Sequence, residues 1–418
     1  MLDLNYILEN PKEMKENAKN RGIKVNFDKI STLANQRKEL IIKIDDNRRR
    51  QKEISEAISK ANNRDELIKE AKVLKEETDC LEKALEEVAP KLKDELLKVP
   101  NITHPEAPIG KGEEDNKVIE EIGKKPEFPF EPKGFDQLMS DLDLIDFERG
   151  AKVAGQKFYY LKGDGALLEF ALINYALDLL VKEGFTPYIT PDLASGKIIE
   201  GAGFAPRGPE AQIYYIDGMD LGLIATAEIN LVGLHSDEVL DEKELPKKIA
   251  GFSHCFRREA GTYGQQSKGI YRVHQFSKVE MFIYSKPEES DKMHQKVLEI
   301  EKKIFKGLGI PFRVIDCCTV ELAGPAYRKY DLEAWLPAQK KWGEITSTTN
   351  ATDFQARRVS TKYKKADGKT EFVHMINGTA IAVSRAMVAI MENYQKEDGS
   401  VEVPKVLQKW LNKKVIKK

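Results

Sequence analysis

The sequence predicts an α+β protein in which a long antiparallel helical hairpin precedes a domain built on an antiparallel sheet flanked by helices. Three observations indicate this fold class. Residues 27–99 lack glycine and place apolar side chains every three or four positions. Residues 99–110, VPNITHPEAPIG, have the composition of a linker, and the remainder alternates short strand-like runs with a few helical segments. We therefore divide the 418 residues into domains at 1–110 and 111–418.

The helical hairpin is predicted from a seam of positions that advance by alternating steps of three and four residues. The seam positions are Ile30, Leu33, Arg37, Leu40, Ile44, Asn47, Gln51, Ile54, Ile58 and Ala61, then Leu67, Ala71, Leu74, Thr78, Leu81, Leu85, Val88, Leu92, Glu95 and Val99. A turn at 61–64 would let the two halves pack together as arms of roughly 50 Å. The alternative is a coiled coil between two chains, in which both helices are continuous.

Polar residues interrupt this seam. Arg37, Asn47 and Gln51 replace apolar side chains, which lowers stability and can set the register of the two helices. Pro90 is expected to kink or weaken the second helix, because proline removes a backbone donor.

Charge and cysteine content restrict the classes of protein. Charged residues make up 32% of the chain but the net charge is −1, so any polyanion must meet a local basic patch. The four cysteines show no C-x-x-C spacing, which indicates a reducing, cytoplasmic setting. The first residues lack the apolar core of a signal peptide, and no run of about 18 apolar residues occurs. We expect an intracellular protein that does not enter a membrane.

The elements of the second domain are predicted from their periodicity. Helical patterns cover 165–183, 288–308 and 381–394. The strand-like runs are TPYIT, QIYYI, GLIATAEI, the 249–284 region, FRVIDC, KYDLEAWL and KWGEITST. Strands joined by tight loops, with few helices between them, favour an antiparallel sheet over a parallel nucleotide-binding sheet.

Residues 256–280, FRREAGTYGQQSKGIYRVHQFSKVE, form a candidate ligand-binding hairpin. Alternation along two strands places Arg257 with Glu259 on one face. On the return strand one face holds Arg272, His274, Phe276, Lys278 and Glu280. Such a face is either solvated and crossed by ion pairs, or a site where an arginine binds a phosphate and Phe276 stacks on a base. The central aromatic and the long glycine-containing loop favour the nucleotide.

The segment TAEINL, residues 226–231, pairs an acid with a hydroxyl. As the end of a strand it would place Thr226 and Glu228 on one face. An ordinary surface strand is the alternative.

The segment WGEITST also combines an acid with hydroxyl groups. Alternation puts Glu344 and Thr346 on one face and Ile345 and Ser347 on the other. Glu344 offers the hard oxygen ligands that Mg²⁺ prefers. A Thr/Ser run is also typical of a turn or cap.

Arg385 is the one formally charged side chain between His374 and Glu392, in a segment otherwise suited to a buried helix. Because a guanidinium cannot lose its charge, burial requires an anion. That anion is either a carboxylate in a structural salt bridge or a bound polyphosphate, and a salt bridge to an internal acid would count against the polyphosphate. Residues 377–379, Asn-Gly-Thr, precede the helix and allow close backbone approach to a ligand.

Common phosphate and metal motifs are absent from the sequence. No Gly-x-x-x-x-Gly-Lys-Ser/Thr loop occurs, and no Gly-x-Gly-x-x-Gly follows a strand, so arginines would have to hold ATP. The six histidines lack H-x-x-x-H spacing and the cysteines lack ligand pairs, so we expect no zinc.

The motifs together resemble the class II aminoacyl-tRNA synthetases, and within that class the seryl-tRNA synthetase family. TPYITPDLA is similar to the first signature motif, FRREAG with RVHQFSKVE to the second and NGTAIAVSR to the third. TAE, EITS and TDFQARR are similar to further family stretches, and the helical hairpin to the tRNA-binding arm. The resemblance implies a cytoplasmic homodimer that uses ATP and Mg²⁺ to activate L-serine and charges tRNA(Ser), and also tRNA(Sec). Residues 1–110 would bind tRNA and 111–418 would catalyse.

The resemblance also assigns roles to individual residues. The catalytic residues would be Arg257, Glu344 and Arg385. Serine would be bound by Thr226, Ala227, Glu228, Arg257, Glu280, Asn377 and Thr379. ATP would be bound by Arg257, Arg258, Glu259, Val273, His274, Gln275, Phe276, Glu344, Ile345, Thr346, Ser347 and Arg385. Mg²⁺ would be held by Glu344 and Ser347, and tRNA by Arg48, Arg49, Arg50 and Lys268.

Two departures from the family pattern affect these assignments. Ala380 and Ala382 stand where the third motif usually repeats glycine, and the loop Gly264–Gly269 differs from the sequence common in relatives. Other functions also fit parts of the sequence: a protein that holds tRNA or ATP without transfer, a coiled-coil scaffold, or a ligase that loads a carrier protein.

Overall fold

The structure is a computed structural model that describes residues 1–60, 64–204, 212–259 and 269–418. It contains two compact units, Met1–Pro100 and Asn101–Lys418. The division between them falls within the predicted linker at 99–110.

The first unit is helical. Its helices are α1 (Leu4–Glu9), α2 (Pro11–Asn20), α3 (Phe27–Lys60) and α4 (Asp65–Leu97). Helices α3 and α4 pack against each other along their length within one chain. Gln51 Nε2 donates to Thr78 Oγ1 at 3.0 Å, so two polar members of the predicted seam meet across the hairpin. The predicted helical hairpin is confirmed, and the two-chain alternative with continuous helices is wrong.

The seam of the hairpin is the buried side of each helix. Its buried apolar members are Ile30, Leu33, Ile44, Ile54, Leu74, Leu92 and Val99. Arg37 is exposed, so this predicted seam position lies at the edge of the contact. Pro90 lies inside α4, which continues to Leu97. The predicted turn at 61–64 lies outside the described residues except for Arg64, which precedes α4.

The second unit combines a large sheet with helices. Its helices are α5 (Phe135–Asp141), α6 (Phe147–Ala154), α7 (Asp164–Lys182), α8 (Gly196–Ala202), α9 (Ala227–Gly233), α10 (Ser290–Leu308), α11 (Phe354–Val359), α12 (Val383–Asn393) and α13 (Gln408–Leu411). Its strands are β1 (Lys117–Ile122), β2 (Ile145–Asp146), β3 (Tyr160–Leu161), β4 (Thr186–Ile189), β5 (Leu193–Ser195), β6 (Tyr214–Tyr215), β7 (Leu221–Leu223), β8 (Val239–Asp241), β9 (Lys247–Phe256), β10 (Gln275–Ser285), β11 (Phe312–Asp316), β12 (Arg328–Leu336), β13 (Lys341–Asn350), β14 (Lys362–Lys364), β15 (Thr370–Phe372), β16 (His374–Ala382), β17 (Val401–Glu402) and β18 (Val415–Ile416).

Eight strands form the main sheet, in the order β1-β11-β12-β13-β16-β10-β9-β4. Neighbouring strands are antiparallel except for β4, which pairs in parallel with β9 at one edge. The predicted α+β fold with an antiparallel sheet is confirmed. The parallel edge strand is the one departure among these pairs, and it follows from the helix-containing connection between β4 and β9.

Most predicted elements of the second unit match observed ones. The three predicted helices correspond to α7, α10 and α12. The prediction of one long strand over GLIATAEI is wrong, because only Leu221–Leu223 is extended and α9 begins at Ala227. Strand β16 was not predicted, since its Asn, Gly and Ala residues weaken the strand signal.

Two apolar cores hold the helices on the sheet. The larger core combines buried side chains of α7, α10 and α12 with those of the central strands. The second lies around α8, α9 and α11 and includes Ile249 of β9 and Phe282 of β10. Strand β10 contributes to both cores, so it is buried on both faces over most of its length. None of the helices in the described ranges combines the length and apolarity needed to cross a membrane.

Candidate active site

A pocket of about 360 Å³ opens over β13, β16 and β10, which are adjacent in the sheet. The start of α9, the first turn of α12 and the chain after β9 complete its wall. Antiparallel pairing brings side chains from distant parts of the sequence onto one face of the sheet. The pocket therefore joins segments that the sequence presents separately.

Most of the predicted site residues line this pocket. They are Thr226, Glu228, Arg257, Glu259, Val273, Phe276, Glu280, Glu344, Ile345, Thr346, Ser347, Asn377, Thr379 and Arg385. The charged face of the 256–280 hairpin thus meets the segments that contain Glu228, Glu344 and Arg385 in one pocket. The roles assigned to these residues remain predictions.

Four predicted members lie outside the lining that the described residues form. They are Ala227, Arg258, His274 and Gln275. Gln275 lines a separate cavity of about 190 Å³, to which Phe276 also contributes. His274 stacks on Phe158, with ring centroids 5.3 Å apart.

The predicted tRNA contacts lie elsewhere in the chain. Three arginines extend from α3 of the first unit and form ion pairs with exposed acids. The pairs are Arg48–Glu82, Arg49–Asp46 and Arg50–Glu70. Lys268 and most of the loop Gly264–Gly269 lie outside the described residues.

Glu280 is the centre of the most buried polar cluster in the pocket. Its side chain is 2% exposed and forms a salt bridge with Lys278, which is 6% exposed. Thr226 Oγ1 and Thr379 Oγ1 each donate to Glu280 Oε2, at 3.4 and 3.5 Å. Three donors from different parts of the fold therefore surround one carboxylate oxygen. The two threonine bonds are long, so an incoming donor can replace them.

Thr226 reaches Glu280 because it caps a helix. Its side chain accepts a hydrogen bond from the backbone N–H of Glu228 at 3.2 Å, as an N-cap residue does. The prediction that Thr226 and Glu228 share a strand face is wrong, since these residues open α9. The helical turn nevertheless directs both side chains into the pocket.

Glu228 is a second acid beside Glu280. Gln355 Nε2 of α11 donates to Glu228 Oε1 at 2.8 Å. Burial, and after it the negative charge of Glu280, raises the pKa of Glu228 to about 7. The pocket therefore holds one acid that titrates near neutral pH.

Arg385 of α12 is neutralised by an internal acid. Its Nη1 donates to Glu344 Oε1 at 2.6 Å, and the guanidinium lies 5.2 Å from the centre of the Tyr271 ring. Burial would raise the pKa of Glu344, but the charges of Arg385 and Lys329 outweigh it and lower the pKa to about 2. The salt-bridge interpretation of Arg385 is thus realised, and this pairing counts against a polyphosphate as the partner of its charge. Its partner is itself a predicted site residue and is 38% exposed to the pocket.

A β-bulge changes the facing of residues in β13. Leu332 pairs with Thr346 but Glu333 pairs with Glu344, so β13 contains one extra residue at Ile345. The prediction that Glu344 and Thr346 share a face is wrong, because the bulge reverses the alternation. Thr346 instead donates to Glu301 of α10, and Glu344 is brought to the side of Ser347.

Arg257 and Phe276 lie together in the pocket, as the hairpin pattern predicted. The Arg257 guanidinium is 5.4 Å from the centre of the Phe276 ring. Its Nε donates to the carbonyl of Ala225 at 3.3 Å. Glu259 pairs with Arg272 at 3.4 Å. A cationic group beside an aromatic face suits a ligand that carries both a phosphate and a base.

Several pocket residues were not predicted as members of the site. They include Lys278, Tyr271 and Lys329. Gln355, which donates to Glu228 but does not line the pocket, was not predicted either. Lys278 had a signal, because it shares the strand face of Phe276 and Glu280. No sequence signal indicated Lys329, because whether it reaches the pocket depends on the position of β12 in the sheet. No group of three or more His, Cys, Asp or Glu side chains within the described ranges is placed to hold a metal ion.

Two protein families match the sequence. Residues 1–103 match the seryl-tRNA synthetase N-terminal domain. Residues 215–394 match the tRNA synthetase class II core domain of the G, H, P, S and T enzymes.

Relatives and solved structures match over the whole chain. A serine–tRNA ligase of Treponema denticola is 50% identical over 412 residues, which is 97% of this chain and 98% of the relative. One from Dictyoglomus turgidum is 51% identical over 98% of both chains. Seryl-tRNA synthetase of Pyrococcus horikoshii complexed with ATP superposes with a TM-score of 0.92 at 40% identity, covering 100% and 99% of the two chains. The cytoplasmic serine–tRNA ligase of Naegleria fowleri in complex with AMP superposes with a TM-score of 0.87 at 32% sequence identity, and the coverage of the two chains is again 100% and 99%.

The two matched families cover the helical unit and the pocket-bearing sheet, in the order that the structure shows. Full-length identity near 50% leaves no part of the chain outside the likeness. The chain therefore belongs to the seryl-tRNA synthetase family, and it is a class II aminoacyl-tRNA synthetase that ligates serine to tRNA.

Proposed function

We propose that the pocket activates L-serine with ATP and that the seryl group is then transferred to tRNA(Ser). The serine carboxylate attacks the α-phosphorus, the bond to the bridging oxygen breaks, and pyrophosphate leaves. A terminal ribose hydroxyl of tRNA then takes the acyl group and AMP departs. Catalysis rests on positioning and charge stabilisation, without a covalent bond to the protein. The observation that carries this proposal is the convergence of three donors on Glu280, in one pocket with Arg257 and Arg385.

Glu280 is the proposed partner of the serine ammonium group. The negative charge of Glu280 is already offset by Lys278 and two threonine hydroxyls. The serine ammonium group would therefore replace existing donors instead of binding an unpaired carboxylate. Thr226, Glu228, Asn377 and Thr379 complete the serine site. A site that bonds the serine hydroxyl disfavours alanine, because its own buried polar atoms would lose a partner.

ATP lies along the hairpin face in this proposal. Arg257 binds the α-phosphate, Phe276 stacks on adenine, and Glu259 accepts from the exocyclic amine. The proximity of the Arg257 guanidinium to the Phe276 ring supports this arrangement. Arg385 binds the γ-phosphate, which requires that it leave Glu344.

Glu344 and Ser347 are the proposed magnesium ligands. The bulge at Ile345 brings a carboxylate and a hydroxyl toward the pocket on one strand. These are the hard oxygen donors that Mg²⁺ accepts, with phosphate oxygens and water completing the shell, so the residues fit the ion. When bound, Mg²⁺ neutralises phosphate charge. The low pKa of Glu344 keeps its carboxylate ionised for this role.

The helical hairpin is the proposed tRNA-binding arm. It would recognise the shape and backbone of tRNA(Ser), and also of tRNA(Sec), because side chains cannot read the deep groove of an A-form helix. Arg48, Arg49 and Arg50 are exposed on α3 and supply phosphate contacts. Lys268 is proposed to bind near the acceptor end.

A homodimer and a cytoplasmic location complete the proposal. Large apolar side chains are exposed next to the first signature motif, with Phe170 of α7 at 63% and Ile189 of β4 at 86%. Such neighbouring apolar surface is expected at a protein contact, and we assign it to a second copy of the chain. All four cysteines are free, as in a reducing compartment.

The test is an ATP–pyrophosphate exchange assay across all twenty amino acids, followed by charging of tRNA(Ser) and tRNA(Sec). We expect exchange with serine alone and charging of both tRNAs. Exchange with no amino acid would favour a protein that holds ATP or tRNA without transfer. Serine exchange with failure to charge either tRNA would favour loading of a carrier protein.

A further inference from the structure

Helix α10 carries an acid on the face that packs against the sheet. Glu301 is fully buried on this face, which otherwise includes apolar residues such as Val297, Ile304 and Leu308. Burying a carboxyl among apolar groups costs free energy unless it is bonded. An apolar residue would be the ordinary occupant of this position.

The carboxyl of Glu301 contacts two strands of the pocket. Thr346 Oγ1 of β13 donates to Glu301 Oε2 at 3.2 Å. The other oxygen, Oε1, is buried and finds no hydrogen-bond partner among the described residues. It lies 2.9 Å from the point that a Cβ atom on Gly378 of β16 would occupy. The carboxyl therefore packs against the backbone of β16 at Gly378, where an added side chain would meet Val297, Glu301 and Thr348.

Glu301 lies where β13 and β16 separate. The two strands pair through Thr348 with Gly378, then Thr349 with Asn377 and Asn350 with Ile376. Thr348 Oγ1 also donates to the Asn377 carbonyl at 2.8 Å, which closes the ladder at its last pair. Beyond this pair, toward Thr346, the ladder does not continue, so backbone hydrogen bonds between these two strands do not set their distance there.

The two separated segments carry different parts of the pocket. Past the Thr348–Gly378 pair, where the two strands separate, β13 carries Glu344 and Ser347, and β16 carries Thr379. We propose that Glu301 is a positioning residue that holds the diverging ends of β13 and β16 at the separation the pocket requires. This inference rests on the proposed function, in which these segments hold ATP with its metal and the serine.

The environment of Glu301 favours the neutral carboxylic acid. Burial raises its pKa well above the usual range; the Thr346 hydrogen bond opposes this effect and the charge of Glu280 adds to it. A neutral carboxylic acid can accept the hydrogen bond from Thr346 and pack against Gly378 without burying a negative charge between α10 and the sheet. Glutamine has the same shape and no charge, so it is the conservative replacement.

The test compares four variants in the serine-dependent exchange assay, with thermal unfolding measured in parallel. Glu301→Leu removes the acceptor, and Glu301→Gln retains it. Thr346→Val removes the donating hydroxyl with little change of shape. Leu308→Ala is the matched control, since Leu308 is fully buried on the same helix two turns away.

We expect Glu301→Leu to lower kcat/KM for serine about tenfold, Thr346→Val to lower it several-fold, and Glu301→Gln to stay within about threefold of the parent. Leu308→Ala should lower the unfolding temperature without changing KM for serine. The inference fails if Thr346→Val and Glu301→Leu both leave kcat/KM within threefold, or if Glu301→Gln loses as much as Glu301→Leu. Should Glu301→Leu not fold, Thr346→Val and Glu301→Gln decide alone. Exchange by the parent protein tests the proposed function separately.

Discussion

Ion pairs in the helical arm are more exposed to solvent than the Lys278–Glu280 pair in the pocket, and this difference indicates two different roles for charged residues. In the arm, the side chains of Arg48 and Glu82 are 62% and 42% exposed. In the pocket, those of Lys278 and Glu280 are 6% and 2% exposed. Exposed pairs contribute about 0–1 kcal/mol each because water screens them. A buried pair stabilises little overall, but removal of one partner leaves an unpaired charge.

This comparison teaches that the arm can change its charges without unfolding, whereas the pocket cannot. Arginines of the arm can exchange an acid for a phosphate at small cost, which suits a surface that binds and releases RNA. In the pocket Glu280 has three donors and Arg385 has an acid, so a substrate must replace bonds that already exist. The following changes test this contrast.

The largest effect is expected from Glu280→Gln. The substitution leaves the Lys278 ammonium buried beside a neutral amide and removes the proposed partner of serine. We expect serine-dependent exchange to fall about 10²- to 10³-fold in kcat/KM, with a loss of stability. Glu82→Gln in the arm is the control and should change neither quantity. A Glu280→Gln protein that retains exchange within tenfold would contradict the proposed serine site.

Glu344→Gln should separate the two partners of the salt bridge. We expect exchange in the presence of Mg²⁺ to fall about 10- to 100-fold, because a proposed magnesium ligand is lost. Nucleotide binding without Mg²⁺ should become several-fold tighter, since Arg385 is released. Calorimetric titration with ATP, with and without Mg²⁺, measures both. Unchanged metal-free affinity would show that the bond between Arg385 and Glu344 does not compete with ATP.

Glu228 should make stability depend on pH. The folded protein keeps the Glu228 proton up to a pKa of about 7, whereas the ordinary value is 4.5. The folded state therefore binds more protons between these values, so the contribution of Glu228 to stability is fully present below pH 4.5 and is lost as pH rises through 7. Relative to Glu228→Gln, we expect the parent to lose about 1–3 kcal/mol of unfolding free energy between pH 5 and 8. Urea unfolding of both proteins gives this difference, and parallel profiles would refute it.

The smallest effect is expected in the arm. Joint replacement of Arg48, Arg49 and Arg50 by alanine should raise KM for tRNA about tenfold, because the proposed phosphate contacts are lost. The unfolding temperature should change little, since all three pairs are exposed. Serine-dependent exchange should stay at the parent value. An equal loss of exchange and of charging would show that the arm affects catalysis rather than tRNA binding.

The accuracy of the sequence predictions follows the range of the interactions involved. The arm was predicted almost in full, because its seam depends on a local period of three and four residues. Arg257, Phe276 and Glu280 were placed on one face by alternation within one hairpin. Thr226 was assigned to the wrong element, since an N-cap and a strand end have similar composition.

Errors in the pocket arose where strands from distant segments meet. The bulge at Ile345 depends on the register of β13 against β12, and no residue within β13 indicates it. The sequence did not decide whether Arg385 pairs with a carboxylate or with a phosphate, since either anion would neutralise the guanidinium. The place of Glu301 could not be predicted, because its partners lie on two strands far along the chain.

The sequence by itself determined the helical hairpin, the antiparallel fold class and the residue types of the site, because periodicity and motif order are local properties. Only the tertiary structure decided which donors meet each acid, which side chains face the pocket and which carboxyl lies where β13 and β16 diverge. These outcomes depend on strand register and on burial, which arise when segments separated by a hundred residues or so pack together.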